Sequence, residues 1–212
     1  MRFVGTTYGN NTMSVITSLA ELEALYGSAK PASLEKVLNH LSPLYQRWIS
    51  ASRFLVLSTV GPGGTDASPR GDDEAVVKVA DEHTLWLPDW RGNNRLDSLR
   101  NIVEDGRVSL MFMVPGSNNV VRVNGQAQLS TEPALCASFD KDGKQPRSVI
   151  IIQVAEVYFQ CAKALMRSRL WQSADEGQAL PSAGEFIREV RADFDAESYD
   201  GGYEDYARDK MW

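Results

Sequence analysis

The sequence contains few of the residues that build disulfide scaffolds or metal centres. Its 212 residues include two cysteines, Cys136 and Cys161, and two histidines, His40 and His83. No set of cysteines and histidines has the spacing of zinc ligands, and two cysteines in a chain of this length do not make a disulfide framework. We therefore expect reduced thiols and no metal site.

The chain also lacks an excess of positive charge and a long apolar run. Its formal net charge of −6 argues against a general nucleic-acid-binding protein. No stretch approaches the roughly 20 apolar residues of a membrane span, and the first residues carry no signal-peptide pattern. We expect a cytoplasmic protein that binds neither nucleic acid nor a membrane, with residues 1–13 as an unstructured extension.

The most informative stretch runs from residue 84 to residue 125. An apolar strand leads into a polar loop, and an amphipathic helix is predicted to begin at Arg95 and to end at Glu104. Free backbone N–H groups at a helix start favour a phosphate, and an arginine can bind one through two parallel hydrogen bonds. The stretch predicts an anion site, or alternatively a solvated loop before a capped helix. Its candidate donors are Arg91, Asn93, Asn94, Arg95 and Ser98.

Strand and turn signals elsewhere predict an antiparallel barrel or sandwich. The predicted strands lie near residues 54–60, 65–69, 75–80, 84–88, 107–114, 119–130 and 147–158. The apolar run at residues 148–157 fits a strand that is buried on both faces or lies at a subunit contact. The predicted helices lie at residues 14–26, at 33–41, at 42–50, at 131–139 and at 183–194.

Three motifs follow one another in the chain. They are the turn Ala67-Ser68-Pro69-Arg70-Gly71-Asp72, the stretch 84–125, and the segments 157–164 and 167–171. In this order they resemble the flavin-binding half of the pyridoxamine 5'-phosphate oxidase-like superfamily, the FMN-binding split barrels. The resemblance covers roughly residues 54–171. It implies a mainly β fold with flanking helices (α+β), a six- to seven-stranded antiparallel split β-barrel that binds FMN.

We expect one domain over residues 1–212. Residues 14–50 would hold its N-terminal helices, residues 54–171 the split barrel with its closing helix, and residues 172–212 a C-terminal extension. The resemblance also implies a homodimer with the flavin sites at its interface.

The resemblance carries over to individual positions around the flavin. It implies that Leu87, Pro88 and Asp89 line the flavin through main-chain contacts. Asn93, Asn94 and Arg95 are the phosphate candidates by their position in the loop, with Arg91 as a further one. Arg70 would reach the phosphate or the ring. Lys78 would be a basic flavin contact, or alternatively an outward lysine on a hairpin.

Lys163, Arg167 and Trp171 follow one another at intervals of four residues on a predicted helix, so they would share one face. Two cations and an indole on one face could cover a flavin or an anionic substrate, and in a dimer the flavin of the partner. The alternative is a surface helix whose cations reach into solvent.

The sequence departs from pyridoxamine phosphate oxidase itself in two ways. Gly92-Asn93-Asn94-Arg95 stands where that enzyme carries a Ser-Arg-Lys run, and no histidine follows position 83. No dinucleotide fingerprint is present, which favours FMN over FAD. We expect an FMN-dependent oxidoreductase that acts on an unidentified small molecule. The alternative is a non-catalytic carrier or sensor of flavin, heme or a deazaflavin.

Overall fold

The structure is a computed structural model of the chain that describes residues 14–172, 175–208 and 210–212. It divides into two compact units, Met1–Lys36 and Val37–Trp212. The first unit contains helix α1 (Leu19–Tyr26), which Ser18 caps, and helix α2 (Pro31–Glu35). The expected unstructured extension at residues 1–13 lies outside the described residues.

The second unit is built on one antiparallel sheet of seven strands. The strands are β1 (Phe54–Gly61), β2 (Gly64–Gly71), β3 (Lys78–Asp81), β4 (Thr84–Asp89), β5 (Arg107–Met113), β6 (Val120–Ser130) and β7 (Ser148–Gln160). Their order across the sheet is β2-β1-β5-β6-β7-β4-β3. The sheet confirms the predicted mainly β fold with an antiparallel barrel-like core.

Six helices and one short turn of 3-10 helix flank this sheet in the described part of the second unit. The helices are α3 (Pro43–Ser50), α4 (Asp97–Glu104), α5 (Pro133–Ala137), α6 (Lys163–Ser168), α7 (Ala183–Val190) and α8 (Ala196–Arg208), and the 3-10 turn is Glu176–Ala179. Within the described residues, no helix combines the length and the apolar character that crossing a membrane requires.

Strand β2, at one edge of the sheet, approaches strand β4, next to the other edge, where both strands finish. Arg70 near the end of β2 donates to Asp89 at the end of β4, with 2.6 Å between Nη1 and Oδ1. Sheet twist curls the strands toward closure. In the described chain, side chains rather than a backbone ladder connect β2 to β4, so the barrel is split at this point.

Strand β7 lies between β6 and β4, and one of its faces is buried along most of the strand, whereas the other face is buried only at the start. Ile150 and Ile152 pack in the main core, whereas Val149 packs against Cys136 and Phe139 on the other face. Burial on two faces accounts for the apolar residues at the start of the run, and a subunit contact along the rest of the strand stays a prediction.

The prediction of a helix over residues 33–41 is wrong. Helix α2 ends at Glu35, and Leu38 instead forms a β-bridge with Val157, in which N···O distances are 3.0 and 2.7 Å. The apolar spacing of Leu38 and Leu41 matched a helix, but backbone pairing with the sheet satisfies the same main-chain groups in an extended form.

Candidate functional site

Two adjoining clefts open at the split in the barrel. The larger has a volume of about 780 Å³ and the smaller about 520 Å³. Both clefts are lined by Pro69, Arg70, Trp90, Arg91 and Gly92. The end of β2 and the loop after β4 therefore form the border between them.

The loop between β4 and α4 lines the larger cleft and turns through two left-handed residues. Asn94 has φ 60° and Leu96 has φ 64°, and the Arg95 N–H donates to Asn93 Oδ1 at 3.0 Å. Leu96 precedes α4 and gives it no side-chain cap, so first-turn N–H groups of α4 lack a capping side chain. The predicted helix start at Arg95 is therefore wrong, because left-handed Leu96 delays the helix until Asp97.

The start of α4 is tied to β2 by serine hydroxyls and a carboxylate. Ser98, which is 2% exposed, donates to the Asp66 carboxylate, and its Oγ lies 3.2 Å from that of Ser68. Sequence reasoning missed Asp66. The signal that could have found it is the period-two alternation of β2, which places Asp66, Ser68 and Arg70 on one face.

Three arginines surround the uncapped helix start. Arg91 and Arg95 come from the loop, and Arg147 comes from the residue before β7. The Arg147 guanidinium donates to Asn94 Oδ1 at 3.5 Å. Arg95 has an 80% exposed side chain and forms an ion pair with Asp97. Arg147 was missed in the sequence because it follows Asp89 by 58 positions and reaches the loop only through the pairing of β4 with β7.

Arg70 stands at the border of the two clefts as a partly buried cation. Its side chain is 20% exposed, and that of its partner Asp89 is 17% exposed. The Nε of Arg70 is buried, and no hydrogen-bond partner for it exists among the described residues. A buried donor without a partner is costly, so an acceptor atom of a ligand at this border would be stabilised.

The predicted β4 residues also lie at the clefts. Leu87 and Pro88 line the smaller cleft, and Asp89 lines the larger one. Trp90, the next residue in the chain, lines both clefts. Its indole N–H donates to Asp72 Oδ2 at 3.1 Å. The predicted strand end therefore lies at the candidate site, and its role in binding stays a prediction. Trp90 was not among the predicted residues.

Lys78 does not line either cleft. Its ammonium donates to the Ser138 carbonyl and lies 4.5 Å from the centroid of the Phe139 ring. Within the chain, Lys78 therefore anchors the end of α5, and its proposed flavin contact stays a prediction.

The closing segment, residues 160–171, does not form the single helix that was predicted to carry Lys163, Arg167 and Trp171. Helix α6 ends at Ser168, and Arg169 has φ 54°, so Trp171 does not share a helix face with Lys163 and Arg167. The Trp171 indole donates to the Ser117 carbonyl at 2.7 Å, in the turn before β6. None of the three predicted residues lines either of the two clefts.

An ion cluster of Asp72, Asp73 and Lys141 lies at the smaller cleft, which the two aspartates line. Lys141 bonds to the carboxylates of both Asp72 and Asp73. Hydrogen bonds from Lys141 and then from Asp72 hold the pKa of Asp73 below its usual 3.8. Burial alone would lower the pKa of Lys141, but its hydrogen bonds to both aspartates outweigh burial and leave its pKa above the usual 10.5.

Comparison with known proteins gives a family for this architecture. The model of the pyridoxamine 5'-phosphate oxidase family matches residues 41–161, more than half of the chain. No curated protein sequence matches the chain.

Several solved structures are similar to part of the chain. HupZ of Group A Streptococcus is 19% identical with a TM-score of 0.46, and the match covers 57% of this chain and 99% of that one. A candidate pyridoxamine 5'-phosphate oxidase of Lactobacillus delbrueckii is 18% identical with a TM-score of 0.46, covering 57% and 95%. An FMN-binding protein of Syntrophomonas wolfei is 16% identical with a TM-score of 0.41, covering 67% and 92%.

Proposed function

The chain belongs to the pyridoxamine 5'-phosphate oxidase family, and from that premise we propose that it is an FMN-dependent oxidoreductase acting on a small molecule. The observation that carries the proposal is the uncapped start of α4, which lies in the larger cleft among Arg91, Arg95 and Arg147. An uncapped helix start with nearby arginines favours a phosphate monoester.

The charges around the larger cleft fit a phosphate. Arg70 is paired with Asp89, and Arg95 is paired with Asp97. Of the remaining charged residues that line the cleft, Arg91 and Arg147 outnumber Asp66. A bound phosphate would therefore meet a local excess of positive charge in a chain whose net charge is −6.

The border between the clefts fits the ring of FMN. Trp90, Pro69 and Leu87 supply apolar surface, and the unsatisfied Nε of Arg70 supplies a donor for a ring heteroatom. FMN, when bound, would supply hydride or electron transfer. Arg70, held by Asp89, would keep a fixed positive charge beside the ring edge, where negative charge is stabilised.

We also propose that two copies of the chain form a dimer in which the closing segment of one copy covers the site of the other. Met166 and Leu170 on this segment are 61% and 46% exposed, and apolar surface of this kind supports a contact with another copy. Lys163, Arg167 and Trp171 would then reach the partner's clefts. Light scattering over a dilution series tests the assembly, and a stable monomer that still holds FMN would refute it.

The cofactor is tested by releasing it from purified protein and identifying it by mass spectrometry. We expect FMN, and reconstitution of apoprotein with FMN should restore a yellow protein with flavin absorbance. Finding FAD, or no flavin after reconstitution, would contradict the proposal. Reduction of the bound flavin by NAD(P)H, followed by reoxidation with a small molecule, would separate an enzyme from a carrier or sensor.

A further inference from the structure

The smaller cleft has an aromatic boundary in which Trp90, at the border of the proposed FMN site, is joined by Trp212, which does not line the larger cleft. The rings of Trp90 and Trp212 meet edge to face, with centroids 5.3 Å apart and an interplanar angle of 76°. Both rings line this cleft of about 520 Å³. That volume lies within the range of roughly 300–1,000 Å³ in which proteins bind small molecules.

The two tryptophans are held in different ways. Trp90 follows β4, donates to Asp72, and packs on the small core of Cys136, Phe139 and Val149. Trp212 is held through its ring, by the edge of Trp90 and by the Lys141 ammonium 3.9 Å from its centroid. Trp90 is thus held by a hydrogen bond and by core packing, and Trp212 by ring contacts.

The charged residues that line the smaller cleft carry no net formal charge, because Arg70 and Arg91 balance Asp72 and Asp73. Asp72 and Asp73 are bonded to Lys141, and Arg70 is bonded to Asp89. The rest of the lining is largely apolar and includes Val76, Leu87, Pro88 and Met211. A charged ligand would have to disrupt these pairs, whereas a neutral one would leave them intact.

We propose that the smaller cleft binds a neutral, planar aromatic molecule of about two rings, held against Trp90 and Trp212. The proposal deepens the proposed function, because this molecule would lie across the Arg70 border from FMN and so on the substrate side of the flavin. Edge-to-face and stacked contacts discriminate a flat ring system from a saturated one of the same size.

The test uses 1-naphthol and its saturated counterpart decahydro-1-naphthol as probes, with binding to full-length protein measured by calorimetry. Wild-type protein should bind 1-naphthol about tenfold more tightly, because only the flat ring contacts both indoles fully. Trp212→Ala should lose about tenfold in 1-naphthol affinity, and Trp212→Phe should recover most of it. Phe186→Ala, an exposed aromatic residue outside both clefts, is the matched control and should bind like wild type.

Equal affinity for the two alcohols, no binding of 1-naphthol, or unchanged binding by Trp212→Ala would each overturn the proposal. Titration of the same variants with FMN distinguishes failure of this proposal from failure of the proposed function. Trp212→Ala should keep its FMN affinity, because Trp212 does not line the larger cleft. Discrimination of 1-naphthol through Trp212 in a protein that binds no FMN would support the aromatic cleft and refute the flavin proposal.

Discussion

The loop at residues 90–96 and the closing segment at residues 160–171 both carry cations and a tryptophan, yet they lie in different surroundings in the fold. The loop lies at the split of the barrel, where its residues line both clefts. The closing segment lies against the turn before β6 through the bond from Trp171 to Ser117. Two regions of similar composition therefore differ, because one lines both clefts and the other lines neither.

The difference shows which kind of site a sequence can locate. The loop directly follows β4 and directly precedes α4, so short-range geometry alone places its side chains near a helix start. The closing segment has no such local partner. In the dimer that we propose, its role in a flavin site would depend on a second copy of the chain. The four predictions that follow test this contrast, from the largest expected effect to the smallest.

Removing a loop cation should have the largest effect if the chain assembles the phosphate site alone. Arg95→Ala should weaken FMN binding by about ten- to a hundredfold, since a charge-assisted bond to a phosphate contributes about 1.5–3 kcal/mol. Titration of apoprotein with FMN measures the change. Arg100→Ala, on the same helix but outside the clefts, is the control and should bind like wild type. An unchanged dissociation constant for Arg95→Ala would make Arg95 a surface residue paired with Asp97.

The side-chain link across the split should come next. Arg70→Ala leaves the partly buried Asp89 carboxylate without its partner, so we expect a loss of about 1–2 kcal/mol in the free energy of unfolding. Urea denaturation of the apoprotein measures it. Arg107→Ala breaks an exposed pair with Asp105 and should change stability little. If both variants behave alike, the contact between Arg70 and Asp89 does not stabilise the closed barrel.

The closing segment offers the sharpest test of the contrast itself. If Trp171 covers the flavin of the partner, Trp171→Ala should change flavin emission a few-fold without dissociating the dimer, because an indole near the ring quenches it. Trp171→Phe keeps an aromatic ring but loses the bond to Ser117, so it separates covering from anchoring. If Trp171→Ala leaves the flavin spectra and the FMN affinity unchanged, Trp171 does not cover the flavin of the partner.

We expect the smallest effect, a change in stability with pH, from the ion cluster of Asp72, Asp73 and Lys141. The pKa of Asp73 is lowered in the folded protein, so its stabilising effect is present above the usual 3.8 and disappears as the pH falls below that value. The stability difference between wild type and Asp73→Asn should thus be constant from about pH 7 to pH 5 and shrink in stronger acid. Urea denaturation of both proteins at several pH values measures this difference in the free energy of unfolding. If the stability difference grows as the pH falls, the pKa of Asp73 is not lowered in the folded protein.

Several sequence predictions failed for a common physical reason. The apolar spacing at residues 33–41 and the four-residue spacing of Lys163, Arg167 and Trp171 both fit helices. In the fold, Leu38 pairs with the sheet, and Arg169 turns left-handed after α6. Periodicity reports which residues can share a face, but long-range backbone pairing and single left-handed residues decide where a helix ends.

The sequence by itself determined the antiparallel strands, the strand–loop–helix unit at residues 84–104 and the family, because alternation, turn residues and motif order are local properties. Only the tertiary structure brought Arg147 to Asn94, tied Ser98 to Asp66, left Arg70 with an unsatisfied Nε, and set Trp212 against Trp90. These contacts join residues 30 or more positions apart or depend on burial, and such relations follow from strand order and sheet closure rather than from any window of the sequence.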